Sequence, residues 1–339
     1  MDRGSVTWRG YWVAAPTPFT RDGELDLGAL REVLRLYVDQ GVHGILINGS
    51  TGEWFAQTED ERRRVAEAAV RAVGDRVPIV VGCTTFTPTC SRELAQHAAA
   101  IGAAGVLATP PPYAVPTDDE ILYFFESFTS GAEAPVMVYN WPRGTNVDIG
   151  PALVGKLAQL NAVVALKDST ADRERAAANL AVAVETIRVF GSFIDARGLT
   201  LLRQGAGDGT IDGGGLAAPL GVAFWEAVWA AAWDEASVVA DHYLTLTRAF
   251  VNPDWSGRFG SPVSQLKAVM RLVGQPAGYP RPPLLPMDEA PPGLQCYADH
   301  IRAELSGHDK RCTERSDRLP VEDVGTRLRE DERLGRCTR

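Results

Sequence analysis

The stretch VVALKDST, residues 163–170, places a lysine at the end of a run of small and branched apolar residues. A run of this length and composition is typical of a strand that is covered on both faces, as in a parallel β-sheet. The chain has thirty arginines but only four lysines, so lysine is rarely used here as a general positive charge. The first question is therefore why Lys167 stands at the end of a buried strand.

Seven similar apolar stretches are spaced along the first two thirds of the chain. They are WVAAPTPF, GILINGST, PIVVGCTT, AGVLATPP, PVMVYNWP, RVFGSF and DGTIDGGG. Amphipathic helical patterns lie between them, and several begin with a helix-capping signal. The residues that give this signal are Thr58 with Glu61, Thr117 with Glu120, Thr87 before Pro88, and Ser169 with Asp172.

Eight repeats of strand and helix predict an α/β protein, a closed (β/α)₈ TIM barrel over residues 8–218. The alternative is an open doubly wound sheet, which usually carries a phosphate-binding loop after its first strand. The first strand here ends in APTPFTRDG, which is not such a loop. The glycine-rich segment GGGLAA, residues 213–218, follows the last strand and is a poor candidate for a nucleotide site.

The last third of the chain has a different character. Residues 219–305 read as helices that are added to the barrel. Trp225, Trp229 and Trp233 recur every four residues, which predicts an aromatic stripe on one helix face, packed on the barrel or on another subunit. About half of residues 306–339 are charged and few are apolar, which predicts a disordered tail.

The whole-chain composition narrows the classes of function. A net charge of −9 argues against a nucleic-acid partner, whose binding surface would be basic. No run approaches the ~20 apolar residues of a membrane span, and the N-terminus lacks a signal-peptide pattern. The five cysteines and five histidines are scattered and form no metal-binding motif. We therefore expect a cytoplasmic protein without metal, membrane or nucleic-acid partners.

The alternation of side chains along a strand gives Lys167 a location. Val163, Ala165 and Lys167 are expected to share one face, whereas Asp168 lies on the other, near the start of the next helix. Lys167 would then point into the barrel mouth, where desolvation lowers the pKa of an unpaired amine toward neutrality. A neutral amine can attack a carbonyl carbon to form an imine. The alternative is a lysine that only extends into solvent.

Two other strand ends support the first interpretation. Tyr139 ends the preceding strand on the same face as Met137, and neighbouring strands lie ~4.8 Å apart, so Tyr139 and Lys167 are expected to share a cavity. A tyrosine in that place moves protons during imine chemistry, unless it is only a core aromatic. The loop GSTGE, residues 49–53, offers hydroxyl and amide donors to a carboxylate, although such clusters are often simple turns.

Together these segments resemble the dihydrodipicolinate synthase and N-acetylneuraminate lyase family, which are Schiff-base-forming aldolases and lyases on (β/α)₈ barrels. The resemblance covers about residues 8–300 and rests on GSTGE, TPPPYAVPT, YNWP and VVALKDS. It implies that Lys167 forms an imine with pyruvate or another 2-oxo acid, with no cofactor. It also implies that Tyr139 is the general acid/base, with Ser50 and Tyr113 completing a proton relay.

The same resemblance implies the remaining parts of the site. Thr51, with the backbone of Gly49 and Ser50, would hold the substrate carboxylate, and Ile211 and Gly191 would line the pyruvate pocket. The tyrosine of TPPPYAVPT is lent to a neighbouring subunit in the family, so we expect a homo-oligomer, either a dimer or a tetramer.

Two departures from the family patterns leave the second substrate open. Synthases of the lysine pathway read Y-N-x-P-x-R-T, with an arginine that binds the aldehyde partner, whereas this chain reads YNWPRGT and places Arg143 one position earlier. Sialic acid lyases have acidic residues after the glycine of strand seven, whereas Gly191 here is followed by Ser-Phe-Ile. The expected activity resembles that of 4-hydroxy-tetrahydrodipicolinate synthase, and the alternative is a 2-oxo-3-deoxy sugar acid dehydratase or aldolase.

Two hypotheses from other classes are less favoured. One is a catalytically silent barrel with a binding role, which the joint presence of the lysine, the tyrosine and the Ser-Thr loop argues against. The other is a phosphate-binding barrel enzyme that would use the glycine-rich segment after strand eight. The surrounding stretch DGTIDGGGLAAP, residues 208–219, contains Asp208 and Asp212, which would repel a phosphate.

Overall fold

A computed structural model describes residues 1–311, with side chains up to residue 305. Eight parallel strands form a closed barrel in chain order. They are β1 (Gly10–Ala14), β2 (Gly44–Ile47), β3 (Ile79–Gly82), β4 (Gly105–Ala108), β5 (Val136–Asn140), β6 (Val163–Asp168), β7 (Arg188–Phe190) and β8 (Gly209–Gly213). Strand β1 pairs with β8 along its whole length. The predicted (β/α)₈ TIM barrel is therefore confirmed, and the open sheet is excluded.

Eight helices follow the first seven strands, one after each strand except β5, which is followed by two. They are α1 (Leu27–Asp39), α2 (Glu59–Val73), α3 (Pro88–Ala100), α4 (Asp118–Thr129), the short α5 (Pro142–Thr145), α6 (Pro151–Leu157), α7 (Arg173–Ala183) and α8 (Ala196–Arg203). Thr58, Thr87 and Thr117 cap their helices as predicted. The prediction for Ser169 is wrong, because Asp172 caps α7 by accepting two backbone amides of its first turn.

Four more helices follow the barrel: α9 (Ala218–Trp229), α10 (Trp233–Phe250), α11 (Pro262–Leu272) and α12 (Pro292–Arg311). The predicted tryptophan stripe on one helix is wrong, since Trp229 ends α9 and Trp233 begins α10. Between them Ala231 adopts the left-handed conformation, with φ +55°, and breaks the helix. Helix α12 continues past residue 305 to Arg311, and the rest of the predicted tail, residues 312–339, lies outside the described residues.

Large rings fill the barrel interior opposite glycines. Trp12 contacts Trp8 and Phe190 edge to face, with ring centroids 5.7 and 5.2 Å apart. Gly44 makes room for Trp12, because a Cβ at Gly44 would lie 2.2 Å from its ring. All three rings are buried. The interior is thus closed by packed side chains, and the space for a ligand lies at the carboxyl ends of the strands.

Strand β6 contains an irregularity that simple alternation does not predict. Val136 pairs with Val163, but Met137 pairs with Ala165, so Val164 is an extra residue at this step. Val164 and Ala165 both pack in the barrel interior, whereas Val163 packs in the outer core. The predicted common face of Val163, Ala165 and Lys167 is therefore wrong for Val163. One extra residue in the strand reverses the alternation of side chains, so the residues before the bulge point to the opposite face from the one predicted.

Candidate active site

A cavity of about 1250 Å³ opens at the carboxyl ends of the strands and extends between the barrel and the helices that follow it. Most of the residues predicted from the sequence line this cavity. They are Ser50, Thr51, Tyr139, Arg143, Lys167, Gly191 and Ile211. Gly49 and Tyr113 are not among the described residues that line it.

Lys167 is buried at the end of β6, with 8% of its surface exposed. It pairs in register with Tyr139 of β5, and its Nζ lies 3.9 Å from the centroid of the Tyr139 ring. Within the described chain, Lys167 Nζ makes no hydrogen bond or ion pair with a protein oxygen. Burial lowers the pKa of Lys167 to about 7, and the charge of Asp212 opposes this shift. A large share of this amine is therefore neutral near pH 7.

Tyr139 is buried beside the lysine and stacks on Trp141, with ring centroids 5.9 Å apart. Burial raises the pKa of the Tyr139 phenol, and hydrogen bonding from Ser169 and Ser50 opposes the rise. The phenol therefore stays protonated at neutral pH and can donate a proton. Ser169 was missed in the sequence because its position after Asp168 favoured a helix cap, and only its contact with Tyr139 indicates another role.

Asp168, on the opposite side of β6, holds the strand end in place. Its carboxylate accepts hydrogen bonds from the side-chain amides of Asn140, at 2.9 Å, and Asn179, at 2.8 Å. The backbone amide of Thr170 donates to the same carboxylate. Asp168 thus lies near α7, as expected, but it is bound by the Asn140 and Asn179 side chains and the Thr170 amide rather than by the amides of the first turn of the helix.

The loop after β2 carries Ser50 and Thr51 into the cavity and is anchored by a buried ion pair. Glu53, in the left-handed conformation with φ +54°, pairs with Lys267 of α11, and both side chains are fully buried. Lys267 Nζ also donates to the carbonyl oxygens of Thr17, at 2.6 Å, and Tyr279, at 2.8 Å. No sequence pattern predicts this pair, because Glu53 and Lys267 are far apart in the chain.

Arg143 in α5 lies at the rim of the cavity. Its guanidinium pairs with Asp254 at 3.1 Å, and the two side chains are 41% and 64% exposed. The arginine is thus neither free in solvent nor buried in the barrel. Its charge is partly neutralised by a neighbouring carboxylate.

Tyr113 lies outside the cavity of its own chain. Its side chain is 90% exposed, and its backbone has a φ of +76°. Val115, two residues later in the same loop, and Phe86, in the loop after β3, are also exposed. The structure of one chain does not bring Tyr113 to Ser50 and Tyr139, so its role in a proton relay stays a prediction.

A buried carboxylate, Asp212, also lines this cavity, although the sequence indicated it only as a charge that would repel a phosphate. Asp212 follows Ile211 in β8 and accepts hydrogen bonds from the Tyr11 hydroxyl, at 2.7 Å, and from the Gly213 amide, at 2.8 Å. Burial raises the pKa of Asp212, whereas these two donors and the charge of Lys167 oppose the rise. The signal in the sequence is an acidic residue, Asp212, at a strand end within a glycine-rich run.

Among residues 1–311, no helix is both long and apolar enough to cross a membrane. In the same residues, no three side chains of His, Cys, Asp or Glu group so as to hold a metal ion. The expected absence of a cofactor remains a prediction.

The chain is similar to several known proteins. It is 35% identical over 274 residues to 4-hydroxy-tetrahydrodipicolinate synthase from Acidothermus cellulolyticus, which covers 80% of this chain and 85% of that protein. A monomeric dihydrodipicolinate synthase variant of known structure is 26% identical, with a TM-score of 0.77, over 88% of this chain and 97% of the variant. YagE from E. coli K12, solved in complex with pyruvate, is 25% identical, with a TM-score of 0.78, over 90% of this chain and 99% of YagE.

The match to the family itself extends over the whole barrel and over α9, α10 and α11 after it. Residues 7–292 match the dihydrodipicolinate synthetase family. This range contains the lysine, the tyrosine and the Ser-Thr loop that meet at the cavity. The prediction of a dihydrodipicolinate synthase-like lyase is thus confirmed, and the chain belongs to the dihydrodipicolinate synthetase family.

Proposed function

We propose that this protein is a Schiff-base-forming lyase in which Lys167 forms an imine with pyruvate or another 2-oxo acid. The observation that carries the proposal is the buried amine of Lys167, which has a pKa lowered to about 7 and stands beside Tyr139. A neutral amine in a closed, partly apolar cavity is the form that attacks a carbonyl carbon. The names of related synthases support the same class of reaction.

The first step of the proposed reaction joins the Lys167 amine to the 2-oxo acid. The Lys167 amine attacks the carbonyl carbon of the 2-oxo acid, and the carbinolamine takes up one proton and loses one water to give a protonated imine. The Tyr139 hydroxyl, protonated at neutral pH, supplies the proton to the leaving oxygen and is later reprotonated. The hydroxyls of Ser50 and Ser169, which lie close enough to lower the pKa of the Tyr139 phenol, provide a path for that proton.

The other lining residues have binding roles in the proposal. Thr51 and the Ser50 backbone hold the substrate carboxylate, while Ile211 and Gly191 form the pocket walls. The protonated imine then withdraws electrons from the neighbouring carbon, so that a proton leaves it and an enamine forms. The enamine attacks an aldehyde, or the reverse reaction cleaves the bond. This chemistry uses no metal or other cofactor.

A second candidate, a 2-oxo-3-deoxy sugar acid dehydratase or aldolase, is favoured by the ion pair between Arg143 and Asp254. An arginine already paired with a carboxylate is less available to a substrate that bears a second carboxylate. Hydroxyl-rich substrates need hydrogen bonds rather than a cationic clamp. Side-by-side turnover of aspartate semialdehyde with pyruvate, and of a 2-oxo-3-deoxy sugar acid, distinguishes the two candidates.

The proposal also includes a cytoplasmic homo-oligomer, a dimer or a tetramer, in which Tyr113 of one subunit reaches the cavity of another. The high exposure of Tyr113 supports this arrangement. Sedimentation velocity would give the number of subunits, and a Tyr113→Phe variant would test the contribution of the hydroxyl. A monomer with full activity would contradict this part of the proposal.

Imine formation is tested by trapping. The protein is incubated with pyruvate, reduced with borohydride, and digested for peptide mass spectrometry, with Lys167→Met as the control. We expect one adduct, at Lys167, and none in the variant. An adduct at Lys156 or Lys267 would contradict the assignment to Lys167. No adduct with pyruvate or other 2-oxo acids would contradict the proposal and favour a catalytically silent barrel.

A further inference from the structure

The charged side chains that line the cavity are mainly basic, although the chain as a whole is acidic. Acidic residues outnumber Lys and Arg by 43 to 34 in the sequence, yet six of the nine charged side chains of the described chain that line the cavity are basic. The six are Lys167, Arg143, Arg173, Arg197, Arg248 and Arg258. A cleft lined by one sign of charge attracts ligands of the opposite sign. The cavity therefore favours an anionic ligand.

Three of these arginines are already paired with carboxylates, and two are not. The three ion pairs have nitrogen–oxygen distances of 3.1 Å and are Arg143–Asp254, Arg173–Asp195 and Arg197–Glu174. Arg248 and Arg258 are exposed, and their side chains make no ion pair or hydrogen bond with another residue of the described chain. These two guanidinium groups are therefore available to a ligand.

The turn after α10 carries both available arginines on one support. Arg248 lies in the last turn of α10, two residues before Phe250, and the backbone amide of Arg258 donates to the Phe250 carbonyl at 3.2 Å. The side chain of Gln265, fully buried in α11, holds this turn from below. It donates to the Phe250 carbonyl at 2.9 Å and accepts from the Phe259 amide at 2.9 Å. The backbones of Arg248 and Arg258 are thus fixed on either side of Phe250.

The cavity is larger than a three-carbon acid requires. Its volume is about 1250 Å³, whereas pockets of about 300–1,000 Å³ already enclose drug-sized ligands. Lys167 lines this space from β6, and Arg248 and Arg258 line it from the segment after the barrel. A substrate that is joined to Lys167 through its 2-oxo acid end can therefore extend toward these arginines.

We propose that Arg248 and Arg258 bind a phosphate ester at the far end of the substrate that Lys167 holds as an imine. This inference rests on the proposed imine chemistry and adds the class of substrate. Two guanidinium groups from separate segments supply two positive charges and several N–H donors, which match the nearly doubly charged phosphate and its three free oxygens. A carboxylate needs only one guanidinium, as the three paired arginines of the cavity show.

Asp254 keeps Arg143 from taking the same role. One oxygen of its carboxylate accepts hydrogen bonds from the amide and the hydroxyl of Ser256, at 3.0 and 2.6 Å. The other oxygen accepts from the Arg143 guanidinium at 3.1 Å. A phosphate at Arg143 would have to displace this carboxylate or lie against its negative charge, and like charges repel. The phosphate therefore binds at Arg248 and Arg258, which have no such neighbour among the ion pairs of the described chain.

Three 2-oxo acids of equal chain length that differ only at the far end test the proposal. They are 6-hydroxy-2-oxohexanoate, its 6-phosphate, and 2-oxohexanedioate, which ends in a carboxylate. None has a 4-hydroxyl group to be cleaved or lost as water, so borohydride traps each one intact on Lys167, and peptide mass spectrometry identifies the adduct. The measured quantity is the concentration for half-maximal trapping, with pyruvate as the reference.

In the wild type we expect the phosphate to lower the half-maximal concentration roughly tenfold or more relative to the hydroxyl acid, and the carboxylate to lower it less. Added salt should reduce this advantage, because it screens interactions at exposed groups. Arg248→Gln and Arg258→Gln should each remove part of the advantage, and the double variant should remove most of it. The half-maximal concentration of pyruvate should stay that of the wild type, since pyruvate has no phosphate.

Arg31→Gln is the matched control. Arg31 is an exposed arginine of α1 and is not among the described residues that line the cavity. The variant removes the same charge from the protein, so it should keep the full advantage of the phosphate. Arg143→Gln compares the paired arginine with the two unpaired ones. Thermal unfolding of every variant shows whether the fold is retained.

Equal half-maximal concentrations for the phosphate and the hydroxyl acid, or no adduct with either, would overturn the inference alone if pyruvate is trapped at Lys167. An advantage that persists in the double variant, or that is lost in Arg31→Gln or only in Arg143→Gln, would also overturn it. A larger advantage for 2-oxohexanedioate would overturn the assignment to a phosphate ester. Absence of any adduct with pyruvate would overturn the proposed function and this inference with it. An advantage for the phosphate that depends on Arg248 and Arg258 would support the site.

Discussion

Two buried lysines, Lys167 at the end of β6 and Lys267 in α11, differ in what surrounds the amine. Each Nζ lies over an aromatic ring, 3.9 Å from the Tyr139 centroid and 4.7 Å from the Phe19 centroid. Lys267 also has the carboxylate of Glu53 and two carbonyl oxygens as acceptors. Lys167 has no such acceptor in the described chain. Burial alone therefore does not define a nucleophile, and the acceptors decide whether the ammonium is retained.

The same difference separates a structural role from a chemical one. Burial lowers the pKa of both amines, but Glu53 opposes the shift at Lys267 by an ion pair and a hydrogen bond. Only the more distant charge of Asp212 opposes it at Lys167. An ammonium with hydrogen-bond acceptors holds two segments of the chain together. An amine without such acceptors loses its proton more easily and can then attack a carbonyl carbon.

The largest expected effect is that of Lys167→Met on chemistry. Removal of the proposed nucleophile should abolish imine trapping and lower turnover by at least about 10⁴-fold. The free energy of unfolding should stay equal to that of the wild type or increase, since an unpaired amine is replaced by an apolar chain of similar length. Trapping, turnover and urea denaturation would be measured on the same preparation. A strong loss of stability would mean that Lys167 has a structural partner.

Tyr139→Phe makes the surroundings of Lys167 more like those of Lys267, because the ring stays and the hydroxyl is removed. Turnover should fall roughly 10²–10⁴-fold, the usual effect of removing a positioned acid/base. Thermal unfolding should show a protein that is still folded. Ser50→Ala is the milder companion, because water can replace its hydroxyl. Full activity in Tyr139→Phe would show that the hydroxyl has only a structural role.

Lys267→Met should mainly affect stability. It leaves the buried Glu53 carboxylate without its cation, which typically costs about 3–5 kcal/mol in the free energy of unfolding. Glu53→Gln combined with Lys267→Met removes both charges and should recover part of that loss. Urea denaturation of the single and double variants gives the coupling between them. Equal stability in Lys267→Met and the wild type would contradict the structural role of this lysine.

A smaller effect is expected in the pH dependence of stability. The pKa of Lys167 falls from 10.5 to about 7 on folding, so between these values the unfolded chain binds more protons than the folded one. Stability should therefore rise with pH in this window, by about 1.4 kcal/mol per unit, and the gain is lost as pH falls through about 7. The difference in free energy of unfolding between wild type and Lys167→Met, measured from pH 7.5 to 9, isolates this contribution. A constant difference would show that Lys167 stays charged in the folded protein.

The sequence was sufficient to predict the barrel and the position of Lys167 at a buried strand end, since both depend on local patterns. Apolar runs that end in turn residues define the strands, and a scarce lysine at a strand end stands out. Lys267 did not stand out, because its helix pattern gives no sign that Glu53, far away in the chain, is its partner. Asp212 was considered only as a charge that would repel a phosphate, since its tyrosine neighbours come from other parts of the chain, and Ser169 was interpreted as part of a helix cap. The bulge at Val164 depends on pairing with β5, which alternation within one strand cannot reveal.

The ion pair between Glu53 and Lys267 has a consequence for how such proteins can be recombined. It fastens the loop that carries Ser50 and Thr51 to a helix that follows the barrel in the chain. A shortened protein that ends after β8, or a chimaera that takes its last helices from a relative without this lysine, would keep the carboxylate and lose its cation. The ion pair therefore couples the barrel to the helices after it, and we expect an exchange between relatives to succeed only when the carboxylate and the lysine come from the same protein.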